Sequence, residues 1–278
     1  MTREELEVVA AVRRLVAAEI AAGHGRVIDA ELRERLSAAG ESTAAPAAAT
    51  VAAAAPARET AAARAPAPAV ESAAGPELAA RGARLSALTA EAEACMRCAL
   101  AATRTKVVVG VGRLDPGLML VGEAPGADED RAGEPFVGRA GQLLNRILAA
   151  IGLERSDVYI ANVLKCRPPE NRNPLPGEIA ACSSYLSDQI EIIRPRVLCA
   201  LGRFAASTLL KTHQTTLGAL RGRIHDYQGI PVVVTYHPSA LLRYPMYKKP
   251  TWEDMQVIQR LLAGQSAAEA LVAASPDA

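Results

Sequence analysis

The chain of 278 residues has room for one large domain or two small ones, and its formal net charge is +1. No uninterrupted apolar stretch reaches the roughly 18 residues that a membrane helix needs, and the charged start Met-Thr-Arg-Glu-Glu is unlike a secretion signal. These features predict a cytoplasmic protein. Five cysteines in such a chain argue against a disulfide framework and favour a metal or cluster site.

The N-terminal part differs in composition from the rest. Residues 3–20 and 27–36 have helical spacing, which predicts a helical segment over 1–38. Residues 39–76 are rich in Ala and Pro with few large apolar side chains, which predicts a flexible linker. The helical segment has two interpretations, a solubilising appendage or a docking site for an unknown protein, and the sequence does not decide between them.

From residue 77 the pattern changes to buried strands alternating with helices. Apolar runs at 118–121, 158–163, 197–201 and 231–236 predict strands, and the segments 140–151, 178–193, 204–210 and 252–262 predict helices. This order predicts a three-layer α/β/α domain over 77–265 with a central, mostly parallel four-stranded sheet. Residues 266–278 are predicted to be a disordered tail. Residues 1–78 hold 8 basic and 11 acidic side chains, whereas 79–265 hold 23 and 17, so the domain is compatible with a polyanionic partner.

Two short motifs follow predicted strands. Gly-Glu-Ala-Pro-Gly at 122–126 comes directly after the first strand, and His-Pro-Ser at 237–239 comes after the last. The carboxyl ends of parallel strands form the usual binding crevice of an open α/β sheet. The two motifs therefore predict a site at this edge.

Four of the cysteines suggest a second site. Cys95 and Cys98 form a C-x-x-C pair, and Cys166 and Cys182 lie far downstream. No strand precedes Cys95, which disfavours a thioredoxin-like redox pair. Four thiolates suit either a zinc ion or a [4Fe–4S] cluster, and spacing does not separate the two. The fifth cysteine, Cys199, lies within a predicted strand and is expected to be buried there.

Together these motifs resemble the uracil-DNA glycosylases, specifically the iron–sulfur type called family 4, from about residue 95 to about residue 262. That family has a C-x-x-C near the domain start, a third cysteine in an N-x-x-K-C-R-P-P segment, and a fourth about sixteen residues later. Here the segment is Asn-Val-Leu-Lys-Cys-Arg-Pro-Pro at 162–169, with Cys182 sixteen residues after Cys166. The resemblance implies a [4Fe–4S] cluster bound by Cys95, Cys98, Cys166 and Cys182.

The resemblance also implies roles for three side chains. Breaking a deoxyribosyl N-glycosidic bond requires the base to be flipped out of the stack. Phe136 would stack on the uracil, Asn162 would read its imide edge with an amide that donates and accepts, and His237 would donate to the uracil O2. On residue type alone, the alternatives are a core plug for Phe136, a turn-forming residue for Asn162 and a structural histidine for His237.

The acidic residues of the first motif are assigned less directly. The classical family of uracil-DNA glycosylases has Gly-Gln-Asp-Pro-Tyr-His here, with the aspartate orienting water, and this chain has Ala124 at the aspartate position. Glu123 and Ala124 are predicted to contact the base or sugar, partly through the backbone. Glu129 is the candidate for shielding the pyrimidine C5 or positioning water.

The segment after His237 is predicted to contact DNA. A flipping enzyme needs an apolar wedge for the vacated stack and cations for the phosphates. Leu241 and Leu242 can provide the wedge, and Arg243, Lys248 and Lys249 the charge. The alternative is an ordinary helix start with exposed basic side chains.

The resulting prediction is a monomeric, monofunctional uracil-DNA glycosylase acting on single- or double-stranded DNA and leaving an abasic site. Two rivals stay open on the sequence. One is a non-catalytic iron–sulfur DNA-binding protein of the same fold, and the other is a zinc-stabilised α/β binding module.

Overall fold

The structure, a computed structural model, describes residues 74–212 and 216–272. The helical segment predicted over 1–38 and nearly all of the linker predicted over 39–76 lie outside these ranges. Within them, strands and helices alternate along the chain. The strands are β1 (Val111–Gly112), β2 (Leu118–Gly122), β3 (Tyr159–Asn162), β4 (Val197–Leu201), β5 (Ile224–Tyr227) and β6 (Ile230–Thr235). The helices are α1 (Ala74–Glu93), α2 (Ala127–Ala132), α3 (Arg139–Ala150), α4 (Pro176–Ile193), α5 (Arg203–Leu210), α6 (Pro238–Arg243), α7 (Lys248–Leu262) and α8 (Ala267–Val272).

The strands form one sheet in the order β1-β3-β2-β4-β6-β5. The four predicted strands are its parallel centre, because β2 pairs in parallel with β3 and β4, and β4 pairs in parallel with β6. The α/β class is confirmed, but the predicted strand number of four is wrong. Six strands are present, with β1 and β5 antiparallel at the two edges.

The edge strands lack the apolar runs that mark the central strands. β1 has only two residues, and every residue of β5 is partly or fully exposed. Strand β5 joins β6 through Gln228 and Gly229, whose φ values of 53° and 87° are those of a two-residue hairpin turn. Very short edge strands are one way in which proteins keep a sheet edge from pairing with other chains.

Helices cover both faces of the sheet. Side chains of β2 alternate between two apolar cores, with Met119 and Val121 in one and Leu118 and Leu120 in the other. The first core also receives side chains of α1, α4 and α5, and the second receives those of α3, α7 and α8. This arrangement is the predicted three-layer architecture.

Both boundaries of the predicted domain shift outward. Helix α1 begins at Ala74, and its buried Arg81 donates to the carbonyl oxygen of Ile192 at 2.6 Å and to that of Ile193, at the end of α4. The disordered tail predicted over 266–278 is wrong for α8, since Ala270 is buried in the second core; residues 273–278 lie outside the described ranges. No helix in the described ranges is long and apolar enough to cross a membrane.

Candidate active site

A cavity of about 580 Å³ opens at the carboxyl ends of the parallel strands. Asn162 ends β3, and the first motif begins at Gly122, the last residue of β2. Gly202 directly follows β4, and His237 lies two residues after the end of β6. The cavity lies where the chain order reverses across the sheet, because β3 and β4 lie on opposite sides of β2. Its wall includes seven residues singled out from the sequence, namely Glu123, Ala124, Glu129, Phe136, Asn162, His237 and Arg243.

The loop that carries Phe136 is fixed by a carboxylate. One oxygen of Glu129 accepts hydrogen bonds from the backbone N–H groups of Val137 and Gly138, each at 2.9 Å, and the other accepts from Gly126 at 3.1 Å. Three donors therefore occupy a carboxylate that was predicted to shield C5 or position water. The structure favours a different role for Glu129, which is to brace the Phe136 loop.

The backbone of Phe136 is held in an uncommon conformation. Its φ is 54°, in the left-handed region, and Arg155 donates to its carbonyl oxygen at 3.2 Å and to that of Pro135 at 2.6 Å. The ring is buried, so the side chain is fixed on the cavity wall rather than mobile in solvent.

Gly122 lets the Phe136 ring and the Asn162 amide approach the end of β2. A Cβ at Gly122 would lie 2.3 Å from Asn162 Oδ1 and 2.7 Å from Phe136 Cε2, far inside contact distance. Asn162 is 2% exposed, and its Oδ1 is buried without a hydrogen-bond partner. A buried acceptor left unpaired costs about 1–3 kcal/mol, so a ligand N–H at this position would recover that energy.

His237 has a defined tautomer. The Ser239 backbone N–H donates to His237 Nδ1 at 3.2 Å, and the Ser239 Oγ lies 2.8 Å from the same nitrogen. Because Nδ1 accepts, the proton of the neutral imidazole is on Nε2, which makes Nε2–H available as a donor. Burial, with a further contribution from the Arg243 guanidinium, lowers the pKa of His237 to about 4. The ring is therefore neutral near pH 7, and its centroid lies 5.4 Å from that of Phe136.

Glu123 is a half-buried carboxyl near two arginines. Burial raises its pKa, while the positive charges of Arg203 and Arg243 act in the opposite direction. Arg203 lies on the cavity wall one residue after Gly202, which follows β4, and Arg172 lies on the same wall in the long loop between β3 and α4. Neither residue was predicted from the sequence. For Arg203 the available signal was a basic residue close to the end of a central parallel strand, whereas no local pattern marks Arg172.

The two predicted wedge residues differ in exposure. Leu241 is only 2% exposed on α6 and is buried in the domain, so it does not fit the prediction of an exposed wedge. Leu242 is 39% exposed, which is compatible with the predicted role as a wedge. Of the predicted cations, Arg243 and Lys249 are exposed and Lys248 is half-buried.

The four predicted ligand cysteines surround one small cavity. The cavity is lined by cysteines from three separate parts of the chain. Cys95 and Cys98 follow α1, Cys166 follows β3, and Cys182 lies within α4. The described residues contain no group of three or more His, Cys, Asp or Glu side chains arranged to hold a metal ion. Cys199 is fully buried in β4, as predicted, and burial raises its pKa.

Donors point at the sulfur atoms of this thiol cavity. The Lys165 backbone N–H donates to Cys182 Sγ at 3.3 Å, and Arg104 donates to Cys166 Sγ at 3.4 Å and to the Cys95 carbonyl oxygen at 2.8 Å. Such contacts stabilise sulfur in its thiolate form. Burial acts in the opposite direction and is the larger effect, so the pKa values of Cys166 and Cys182 are raised, and the donors offset only part of that shift.

Lys165 connects the thiol cavity with the larger cavity. Its ammonium, only 1% exposed, donates to the Asn162 carbonyl oxygen at 2.7 Å and to Gln189 Oε1 at 2.5 Å. Gln189 in turn donates to Tyr159 at 3.1 Å. Desolvation lowers the pKa of Lys165 to about 8. The side chain thus holds the backbone at Asn162 while its own backbone contacts Cys182.

Comparison with known families agrees with this geometry. Residues 109–257, more than half of the chain, match the model of the uracil DNA glycosylase superfamily. The chain therefore belongs to that superfamily, and the resemblance seen in the motifs is confirmed.

Proteins similar to this chain include type-4 and type-5 uracil-DNA glycosylases. The chain is 45% identical to a type-4 uracil-DNA glycosylase of Archaeoglobus fulgidus over 184 residues, which cover 64% of this chain and 92% of that protein. It is 51% identical to a type-4 uracil-DNA glycosylase of Thermotoga maritima over 150 residues, covering 54% of this chain and 78% of that protein. A type-5 uracil-DNA glycosylase of Pyrobaculum aerophilum is 38% identical over 146 residues, covering 47% and 64% of the two chains.

Proposed function

We propose that this protein is a monofunctional type-4 uracil-DNA glycosylase that hydrolyses the N-glycosidic bond of deoxyuridine in DNA, releasing uracil and leaving an abasic site in base excision repair. The observation that carries the proposal is the meeting of three side chains on one cavity wall, namely Phe136, Asn162 and His237. They come from three distant segments of the chain. Their convergence favours the enzyme over a non-catalytic DNA-binding protein of the same fold.

Each of the three side chains supplies one requirement of base excision. The fixed Phe136 ring offers a face for the flipped base, and the unpaired Asn162 Oδ1 accepts the uracil N3–H while its amide N–H donates to O4. His237 Nε2–H donates to the uracil O2, where negative charge develops as the bond to C1′ breaks. The neutral imidazole suffices for this donation, since it requires only the N–H.

The residues that would face the deoxyribose and the attacking water belong to the first motif. Ala124 offers no carboxylate to orient water, and Glu129 is occupied by backbone donors. Glu123, half-buried on the wall, is the carboxylate available to face the cationic, oxocarbenium-like sugar. No lysine lines the cavity in the part of the chain that the structure describes, which supports hydrolysis without a Schiff-base step.

The proposal is tested with an oligonucleotide that contains one uracil. Incubation followed by alkali should break the strand at the uracil, whereas the matched thymine oligonucleotide should stay intact. A break without alkali would indicate a lyase step and contradict monofunctional hydrolysis. Binding without any break after alkali would favour the non-catalytic rival.

The DNA-contacting set is proposed with one change from the sequence prediction. The exposed Leu242 would be the wedge, and the buried Leu241 would instead pack α6 against the domain. The phosphates would be contacted by Arg243, Lys248 and Lys249. The substrate would be uracil-containing DNA, single- or double-stranded. The cytoplasmic location, the monomeric state and a docking partner for the N-terminal segment stay predictions.

The four cysteines around the thiol cavity would hold a [4Fe–4S] cluster. The donor set supports this proposal, since four thiols line one cavity and N–H groups of Lys165 and Arg104 point at two of them. When bound, the cluster would supply a cross-link between α4, the loop after β3 and the segment after α1. The chain's own residues Lys165 and Asn162 then connect that cross-link to the base-binding wall.

Cys166→Ala should lose iron and lower the melting temperature, because a cross-link between distant segments disappears. The matched control is Cys199→Ala, which removes a fully buried thiol from β4 and should keep the iron. Iron content, zinc content and absorbance near 400 nm check the result on both proteins. Zinc in the parent would support the zinc alternative, and full iron with an unchanged melting temperature in Cys166→Ala would remove this cysteine from the ligand set.

The lowered pKa of His237 predicts the pH profile. The contribution of His237 to the single-turnover rate should show no inflection near pH 6.5, the ordinary histidine value, and should be lost only as the pH approaches about 4. Protonation there would place an N–H on Nδ1 against the Ser239 backbone N–H. Single-turnover rates across this range check the result. A limb that persists in His237→Ala belongs to another group, such as Glu123, and an inflection near 6.5 that this variant removes would contradict the prediction.

A further inference from the structure

Arg203 lies on the wall of the larger cavity, next in sequence to a glycine that packs against His237. It begins α5 immediately after Gly202, whose φ is +92°. A Cβ at Gly202 would lie 3.1 Å from His237 Cβ, so the backbone before Arg203 is in close contact with the histidine. The Arg203 side chain is exposed and forms part of the cavity wall.

The Arg203 guanidinium contacts an aromatic ring and forms no salt bridge in the described ranges. Its Cζ lies 4.3 Å from the centroid of the Phe204 ring, a cation–π contact that restricts the side chain. No salt bridge involves Arg203 within residues 74–212 and 216–272. Arg172 on the same wall differs, because the two Glu178 oxygens accept from its guanidinium at 2.9 and 2.6 Å. Arg203 is therefore the freer of these two arginines to bind an anion.

The positive charge of Arg203 acts at the same place as that of Arg243. Both guanidinium groups influence the Glu123 carboxyl on the cavity wall. The two arginines come from different helices, since Arg203 begins α5 and Arg243 ends α6. They thus form a cationic pair at the cavity that would receive a flipped nucleotide.

We propose that Arg203 binds a backbone phosphate of the uracil-containing strand, as a second cation beside Arg243. This inference rests on the proposed function. A base that enters the cavity draws its own flanking phosphates toward the mouth, where a planar guanidinium can donate two hydrogen bonds to one phosphate. Such a contact positions the strand without reading the sequence.

Salt dependence of binding tests a phosphate contact directly. The probe is a single-stranded oligonucleotide with one 2′-fluoro-deoxyuridine, whose fluorine disfavours the cationic sugar and slows cleavage during the measurement. Each lost phosphate contact on single strands reduces the slope of log K against log salt by about 0.7. Arg203→Ala should show this reduction and bind roughly tenfold more weakly at low salt, since hydrogen bonds to charged groups are the strong ones. Arg203→Lys should keep the parental slope.

The matched control is Arg113→Ala. Arg113 is exposed and lines a separate cavity with Leu118, at the opposite edge of the sheet, so its replacement should leave the slope unchanged. A parental slope in Arg203→Ala, or the same loss in Arg113→Ala, overturns the inference. So does a loss in Arg203→Lys equal to that in Arg203→Ala.

Uncharged methylphosphonate linkages in the probe identify which flanking phosphate Arg203 contacts. Replacing one flanking phosphate by a methylphosphonate should weaken binding to the parent but not weaken binding to Arg203→Ala any further. Equal weakening of both proteins at each flanking linkage counts against the inference. The parent's uracil release, assayed separately, distinguishes the two failures: a parent that excises uracil with an unaltered Arg203→Ala slope refutes only this inference.

Discussion

His237→Ala is expected to lower the single-turnover rate of uracil release by roughly 10²–10³, the usual effect of removing one preorganised donor to a developing oxyanion. The variant should bind uracil-containing DNA within a fewfold of the parent. The two effects separate because uracil O2 gains charge only as the glycosidic bond breaks, so the hydrogen bond is stronger in the transition state than in the bound substrate.

The geometry around His237 supports this expectation. Its Nδ1 accepts from the Ser239 backbone N–H, which fixes the donor on Nε2, and its pKa of about 4 keeps the ring neutral. The donor is therefore in place before the reaction and needs no proton uptake. Removing it leaves the Phe136 ring and the Asn162 amide, whose proposed contacts with the base do not depend on whether the bond is breaking.

Affinity and single-turnover rate should be measured on the same preparation of His237→Ala, with iron content as a check on folding. The control is His225→Ala, since His225 lies on the edge strand β5 and contacts the Leu220 carbonyl oxygen at 2.7 Å. It should react at the parental rate. If His237→Ala binds far more weakly while its bound complex reacts at the parental rate, His237 is a binding residue and the oxyanion mechanism is wrong.

The fold could be predicted where burial leaves a mark in the sequence. The four parallel strands are buried on both faces and appear as continuous apolar runs, which is why β2, β3, β4 and β6 were found. The edge strands β1 and β5 are short and partly exposed, so no such run marks them. Helix α8 was missed because its alanine-rich sequence resembles a tail, although Ala270 is fully buried.

The location of the site could be predicted because its polar residues lie at or near the ends of parallel strands. Asn162 and the 122–126 motif lie at strand ends and His237 lies two residues beyond one, and sequence position alone indicates a shared edge. Which side chains of a segment face the solvent could not be predicted from position along the chain. Leu241 and Leu242 are equivalent in sequence, yet the helical turn buries one and exposes the other. The role of Glu129 depends on backbone donors eight and nine residues away, which no local pattern indicates.

Asn162→Asp is expected to have the second large effect. The substitution keeps the size of the side chain but removes its N–H donors and brings a charge into a position that is 2% exposed. A mismatch at a buried polar edge costs a few kcal/mol, so uracil release should fall by roughly 10²-fold or more. The loss should appear in both affinity and rate, because the edge contacts exist before the bond breaks.

The Asn162 backbone is also the acceptor for Lys165, so a structural effect must be separated from a chemical one. The Lys165 bond uses the Asn162 carbonyl oxygen, which the substitution leaves in place. Iron content and melting temperature should therefore change little. Asn173→Asp is the matched control, since it makes the same chemical change at an exposed position on the cavity wall. Equal single-turnover rates for Asn162→Asp and the parent would remove Asn162 from the site, because no base-reading amide tolerates loss of its donors without cost.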